Sequence, residues 1–203
     1  MLTLHYHPLS SYCQKALIGL YELDVPFTTH TVDLLDPTQR AAFLAIAPLG
    51  KFPVLVDEDG AAIAESTILL EHVDRERRLF PSLAARARDR FWDLHVHHHM
   101  QTLVGDRLRA EGECDPVGVA RARAALATSY AIADGALADR AWAAGDTFTI
   151  ADCAAAPALF FARTWVSIDP HPRLAAYFDR LAAHPSVART FAEAAPYLSM
   201  VPR

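Results

Sequence analysis

The stretch Phe52–Ser66, FPVLVDEDGAAIAES, decides the fold. Two apolar runs flank Asp59-Gly60, the strongest short-range signal for a hairpin. Pro53 cannot donate a ladder hydrogen bond, so it belongs at a strand's edge or first residue. Beyond the hairpin, Ser66 is expected to cap a helix carrying Ile68, Leu69, Leu70 and Val73. Upstream, Leu2, Leu4 and Tyr6 alternate with Thr3 and His5 as a short strand, and Tyr12–Leu23 sets Ala16, Leu17, Leu20 and Leu23 on one helical stripe. Phe27–Asp33 reads as a second strand and Pro37–Ala45 as a short helix. The order is βαβαββα, a compact α/β domain.

The composition changes after RRLFPSLAARARDR, residues 77–90, beyond which Ala, Leu, Arg and His recur at helical spacing without strand-like alternation. The expected organisation is an α/β domain over 1–78, a linker over 79–86 and an all-α helical bundle over 87–203. Within the second half, DTFTIADCAAAPALFFA places Thr149 as an N-cap, Asp152 as its reciprocal partner, and Phe148 and Cys153 as a hydrophobic staple. That pattern reads as a buried, structural helix start.

The 203 residues are 52% hydrophobic and 21% charged, the balance of a folded chain. A net charge of −5 without a basic tract argues against nucleic acid or an anionic membrane as partner. The opening MLTLHY lacks the features of a secretion signal, and Cys153–Ala162, broken by Pro157, is too short to span a bilayer. The expected location is cytoplasmic. Three widely spaced cysteines, Cys13, Cys114 and Cys153, suggest neither a disulfide framework nor a zinc site.

The chemistry concentrates in HPLSSYCQKAL, His7–Leu17, where a helix follows directly on a strand. Such a helix start offers free amides and a positive dipole end to an anion. Ser10 or Ser11 there can donate to a bound thiolate and lower its pKa, or can simply cap the helix; this stretch alone weighs the two readings equally. A cis bond before Pro53 would turn the Phe52 backbone away from the sheet, free to pair with a peptide-like ligand. Glu65 suits an ammonium, and Ser66 with its exposed amides suits a carboxylate. Together these describe a receptor for a small thiol peptide with charged ends.

Over its whole length the chain resembles the cytosolic glutathione transferase superfamily, in its bacterial, serine-type form. The motifs that carry the resemblance are HPLSSYCQKAL, GKFPVL at 50–55, AES at 64–66, LFP at 79–81 and TIAD at 149–152. The resemblance implies a thioredoxin-like N-terminal domain, a helical C-terminal domain and a homodimer active in detoxification. It implies that Phe52 and cis Pro53 receive the cysteinyl part of glutathione, that Glu65 and Ser66 hold its γ-glutamyl end, and that Lys51 meets its glycyl carboxylate with Gln39 or Arg40. Serine-type members carry the activating hydroxyl about five residues before a basic residue; Lys15 is that residue here, which matches Ser10. Ser11 stands where many members have proline and keeps a second hydroxyl within reach. Set beside the Cys-Pro-Tyr-Cys of glutaredoxins, Ser10-Ser11-Tyr12-Cys13 retains only the second cysteine, so the reacting thiol is expected to be that of glutathione.

The run HVHHHMQ, His95–Gln101, sets His95, His98 and His99 on one helix face, but only Asp93 stands near to complete a metal set, so no metal is expected. In the family this helix lines the cleft for the electrophile, and Leu9, His99, Met100 and Leu103 are its expected contacts. The expected activity is conjugation of the glutathione thiolate, as cosubstrate, to a small hydrophobic electrophile. Rival readings are a glutathione-dependent thiol reductase using Cys13, an isomerase of the maleylacetoacetate type, and a glutathione-binding protein without turnover.

Overall fold

The computed structural model describes residues 1–110 and 112–200. The first half folds as β1 (Leu2–Tyr6), α1 (Ser11–Glu22), β2 (Phe27–Thr31), α2 (Pro37–Ile46), β3 (Val54–Val56), β4 (Ala62–Ala64) and α3 (Ser66–Val73). This is the βαβαββα order read from the sequence. The strands form one sheet ordered β2-β1-β3-β4, with β1 and β2 parallel and the other pairs antiparallel. A parallel pair needs a crossover, and α1 supplies it, burying Ala16, Leu17 and Leu20 in the main core.

Local chemistry explains the boundaries. Asp36 opens α2 by accepting from the amides of Thr38 at 2.8 Å and Gln39 at 3.2 Å, with Pro37 in the first turn, where its missing N–H costs nothing. The hairpin closes through Asp57, whose carboxylate accepts from the amides of Asp59 and Ala61 at 3.0 and 2.8 Å. Gly60 supplies the φ of 84° that the turn requires.

The second half is helical: α4 (Leu83–Trp92), a π turn (Asp93–His97), α5 (His98–Arg107), α6 (Pro116–Ala136), α7 (Ile150–Ala162), α8 (Pro172–Ala183), α9 (Pro185–Ala194) and a 3-10 turn (Ala195–Met200). This is a thioredoxin-like domain followed by a helical one. Ser82 caps α4 through the Ala85 amide at 3.2 Å, so that helix begins at Leu83, within the 79–86 stretch. The junction is ordered by Asp74, a buried carboxylate that accepts from the amides of Arg78, Leu79 and Phe80 at 2.8, 2.8 and 3.2 Å.

Helix α7 runs through Pro157 and is buried at every position from Ile150 to Leu159. Its start carries the expected capping box: Asp152 accepts from the Thr149 amide at 2.8 Å and from its hydroxyl at 3.1 Å. The same carboxylate takes the Ala143 amide at 2.8 Å and the Tyr177 hydroxyl at 2.6 Å. One apolar cluster joins Leu4, Leu17 and Leu69 of the first half to Trp92, Leu126, Leu159 and Leu181 of the second. Each such leucine contributes about 2 kcal/mol of burial, so the halves stabilise one another. Among the described residues no helix is long and apolar enough to cross a membrane.

Candidate functional site

The register brings the site together. His5 pairs with Val54 and Val54 with Ala64, so one row crosses β1, β3 and β4. β3 runs against both neighbours, and the end of β1, the start of β3 and the end of β4 therefore share one edge. Residues 7–10, 52–53 and 65–66 lead out of or into the sheet there.

Ser10 is the N-cap of α1, with φ −73° and ψ 118°, and its Oγ accepts from the Cys13 amide at 3.3 Å. That bond uses a lone pair and leaves the hydroxyl proton free to donate, so capping and thiolate stabilisation are compatible in one side chain. No acidic residue occupies the first turn, which leaves the positive helix end uncompensated. Ser11, the first helical residue, is 4% exposed. Cys13 is fully buried, and burial pushes its thiol up to about 12 despite the Ser10 hydrogen bond. It is no thiolate at neutral pH, which removes the basis for a Cys13 nucleophile.

The Phe52–Pro53 bond is cis. Among the described residues the Phe52 backbone takes no part in the strand ladder, whose register starts at Val54. Its ring packs between Phe43 and His7, at centroid distances of 5.8 and 6.2 Å. At the third corner the structure corrects the expected cap. Glu65, not Ser66, occupies the N-cap of α3; its side chain makes no capping bond, and Ser66 is the first helical residue, buried. Glu65 has φ 69°, a left-handed conformation that costs a non-glycine residue on the order of 1 kcal/mol and turns the chain sharply from β4 into α3.

The candidate carboxylate binders divide. Lys51 and Arg40 are exposed, whereas the Gln39 side chain is engaged within its own segment, accepting from the Asp33 amide at 3.1 Å and donating to Asp36 at 3.0 Å. The expected electrophile wall is narrower than four residues. Met100 and Leu103 are 4% and 1% exposed, packed in the main core with Trp92 and Val96, and they have no surface to offer a ligand. Leu9 and His99 remain partly accessible. His95 and His98 face outward, and no group of three or more His, Cys, Asp or Glu among the described residues has the geometry to hold a metal.

Sequence reasoning missed a buried ion cluster behind the site. Lys15 Nζ, fully buried, lies 2.6 Å from Asp89 Oδ1 and 2.7 Å from Asp93 Oδ2 and donates to Thr67 Oγ1 at 2.8 Å. Thr67 in turn donates to Asp89 at 2.9 Å, and Asp93 pairs with His97 Nδ1 at 3.2 Å. The cluster ties α1, the Ser66 corner and the helical half into one unit. Burial opposes ionisation of Asp93, yet the His97 hydrogen bond and the Lys15 charge outweigh it and hold the carboxyl down to about 2. A signal was present: Asp89, Asp93 and His97 repeat every four residues beside the apolar Ala85, Trp92 and Val96.

Comparisons with known proteins identify the family and the fold. Residues 9–76 match the glutathione S-transferase N-terminal domain family, and residues 116–180 the glutathione S-transferase C-terminal domain family. The chain is 28% identical over 197 residues to a maleylacetoacetate isomerase of Pseudomonas aeruginosa, covering 90% of this chain and 91% of the relative. It is 29% identical over 209 residues to glutathione S-transferase 3 of Zea mays, covering 94% and 93%. The crystal structure of a Methylobacterium radiotolerans glutathione S-transferase, complexed with glutathione sulfonate, superposes with a TM-score of 0.81 at 29% identity, covering 93% of each chain.

Proposed function

The chain belongs to the glutathione transferase superfamily, and from that premise we propose that it joins the thiolate of glutathione to an electrophilic carbon of a small hydrophobic substrate. In this reading glutathione lies along the shared sheet edge. The Phe52 backbone pairs with its cysteinyl unit, Glu65 takes the γ-glutamyl ammonium, Ser66 and the α3 amides take the γ-glutamyl carboxylate, and Lys51 with Arg40 meets the glycyl carboxylate. Ser10 donates its free proton to the sulfur, and the α1 dipole favours the same charge. The thiolate attacks carbon, a C–S bond forms, and the displaced group leaves beside Leu9 and His99. Catalysis then consists of ionising and positioning the cosubstrate, since the protein supplies no nucleophile.

The observation that carries the reading is the open start of α1: a cap hydroxyl with an unused proton, on the sheet edge shared with Phe52 and Ser66. The reading includes a cytoplasmic homodimer with residues 1–78 as its glutathione-binding domain, as the resemblance implies. The test is the ultraviolet thiolate absorbance of bound glutathione against pH in wild type, Ser10→Ala and Ser11→Ala. Ionisation well below the free thiol's pKa, abolished by Ser10→Ala and kept by Ser11→Ala, is the expected result. A wild type that binds glutathione without lowering that pKa overturns the reading and leaves a binder.

A second reading is an isomerase in which glutathione adds, permits a bond rotation and departs unchanged. The full-length similarity to a maleylacetoacetate isomerase favours it. Recovery of free glutathione after turnover separates the two, because a transferase consumes it into a thioether.

A further inference from the structure

His7 lies outside every role assigned so far, yet one side chain there touches three parts of the molecule. Its Nδ1 accepts from the Leu9 amide at 3.2 Å, while its carbonyl accepts from the Ser10 amide at 3.0 Å. Its ring lies nearly parallel to Phe52, 18° apart at 6.2 Å between centroids, and meets the edge of Tyr197 from the C-terminal 3-10 turn at 5.9 Å. The serine loop, the residue before the cis proline and the end of the helical half thus meet on this imidazole.

We infer that His7 is a positioning residue for the thiol site, whose neutral ring holds the Pro8–Ser10 loop in place and whose protonation releases it. The inference rests on the glutathione-activating reading above. An amide can donate only to a bare ring nitrogen, so the bond from Leu9 requires Nδ1 unprotonated and the ring hydrogen on Nε2. Protonation adds a hydrogen at Nδ1, the bond is lost, and the amide beside the Ser10 cap has no acceptor. The loop that aims the Ser10 hydroxyl then keeps the His7 carbonyl and the Gln14 side chain, which donates to the Pro8 carbonyl at 2.9 Å, but loses its hold at Leu9.

The surroundings favour the neutral form. Burial disfavours the charged ring, and the Asp33 carboxylate opposes that effect without reversing it, so the pKa of His7 sits below the ordinary value. The other titratable groups on adjoining elements are the Tyr197 hydroxyl, Lys51 beside Phe52, and the His5–His30 pair one alternate position back along the sheet. A bound thiolate adds one negative charge on the same side. Around neutral pH the loop is held, and in mild acid it is released.

The experiment compares bound-glutathione thiolate absorbance and kcat/KM across pH in wild type, His7→Asn and His7→Leu. Asparagine can accept from the amide two residues on, as in an Asx turn, without titrating. The wild-type acid limb is expected to be steeper than a single titration, because the thiol and His7 both take up protons. In His7→Asn the limb becomes a single titration, with kcat/KM at neutral pH above that of His7→Leu. His7→Leu, which lacks an acceptor, loses roughly fivefold in kcat/KM around neutral pH, the loss expected of one hydrogen bond, and the gap to wild type closes in mild acid, where wild type has lost the same bond. An acid limb in His7→Asn as steep as in wild type, or His7→Leu matching wild type throughout, overturns the inference alone. A wild type whose bound thiol ionises no lower than free glutathione overturns the transferase reading, and this inference with it.

Discussion

Helix α1 begins on Ser10 with one cap bond at 3.3 Å and no acidic residue in its first turn, whereas α7 begins on Thr149 with Asp152 closing it from four sides. Both starts use a hydroxyl cap. At α7 the carboxylate takes two backbone amides and two hydroxyls in a buried site, and no capacity is left for a ligand. At α1 the cap is single and long, the hydroxyl proton is unspent and the dipole unopposed. A closed start stabilises the fold, and an open one can stabilise a bound anion. The open tip is tolerated because α1 is secured further along, through the Lys15 cluster to α4 and the π turn.

The largest expected effect follows from removing that anchor. Lys15→Met leaves Asp89 and Asp93 buried without their cation, and chemical denaturation should show a loss of about 4 kcal/mol. Within the cluster, Asp93 contributes to acid sensitivity. The folded Asp93 carboxyl titrates at about 2, below its unfolded value of about 4, so it adds stability above pH 4 that is lost as pH falls toward 2. Asp93→Asn should flatten that part of the stability profile; an unchanged profile would locate the acid sensitivity elsewhere.

Next in size is the closed start. Asp152→Ala strands the Ala143 and Thr149 amides and the Tyr177 hydroxyl, and a loss of roughly 3 kcal/mol is expected. The smallest effect on stability, and the sharpest on function, is at the open start. Ser10→Ala should cost about 1 kcal/mol of stability, while Ser10→Asp restores the cap but presents a negative charge to the sulfur. Thiolate formation should fail in both. If Ser10→Asp keeps the low thiol pKa, the contrast between the two helix starts is wrong.

Much of this was legible in the chain itself. The hairpin at Asp59-Gly60, the stripe of α1 and the TIAD capping box depend on neighbours within a few residues, and the folded elements follow that reading. The left-handed Glu65 was not legible, because no turn residue announces it and the constraint comes from β4 and α3 meeting at an angle. Met100 and Leu103 were assigned to the cleft by the resemblance; with Val96 they stand at i, i+4 and i+7, the spacing of one apolar stripe, and all three pack in the main core.

The sequence by itself determined the order of strands and helices, the change to a helical second half, and the residue types of a thiol-peptide receptor. Periodicity and turn chemistry are local, and they survive translation into structure. Only the tertiary structure decided which groups meet: that His5, Val54 and Ala64 align three corners on one edge, that Lys15 finds two aspartates more than 70 positions away, and that Tyr197 reaches His7. Those contacts arise from packing two halves around one core, and the free energy that selects them is shared across the whole interface. No short stretch of the chain contains it.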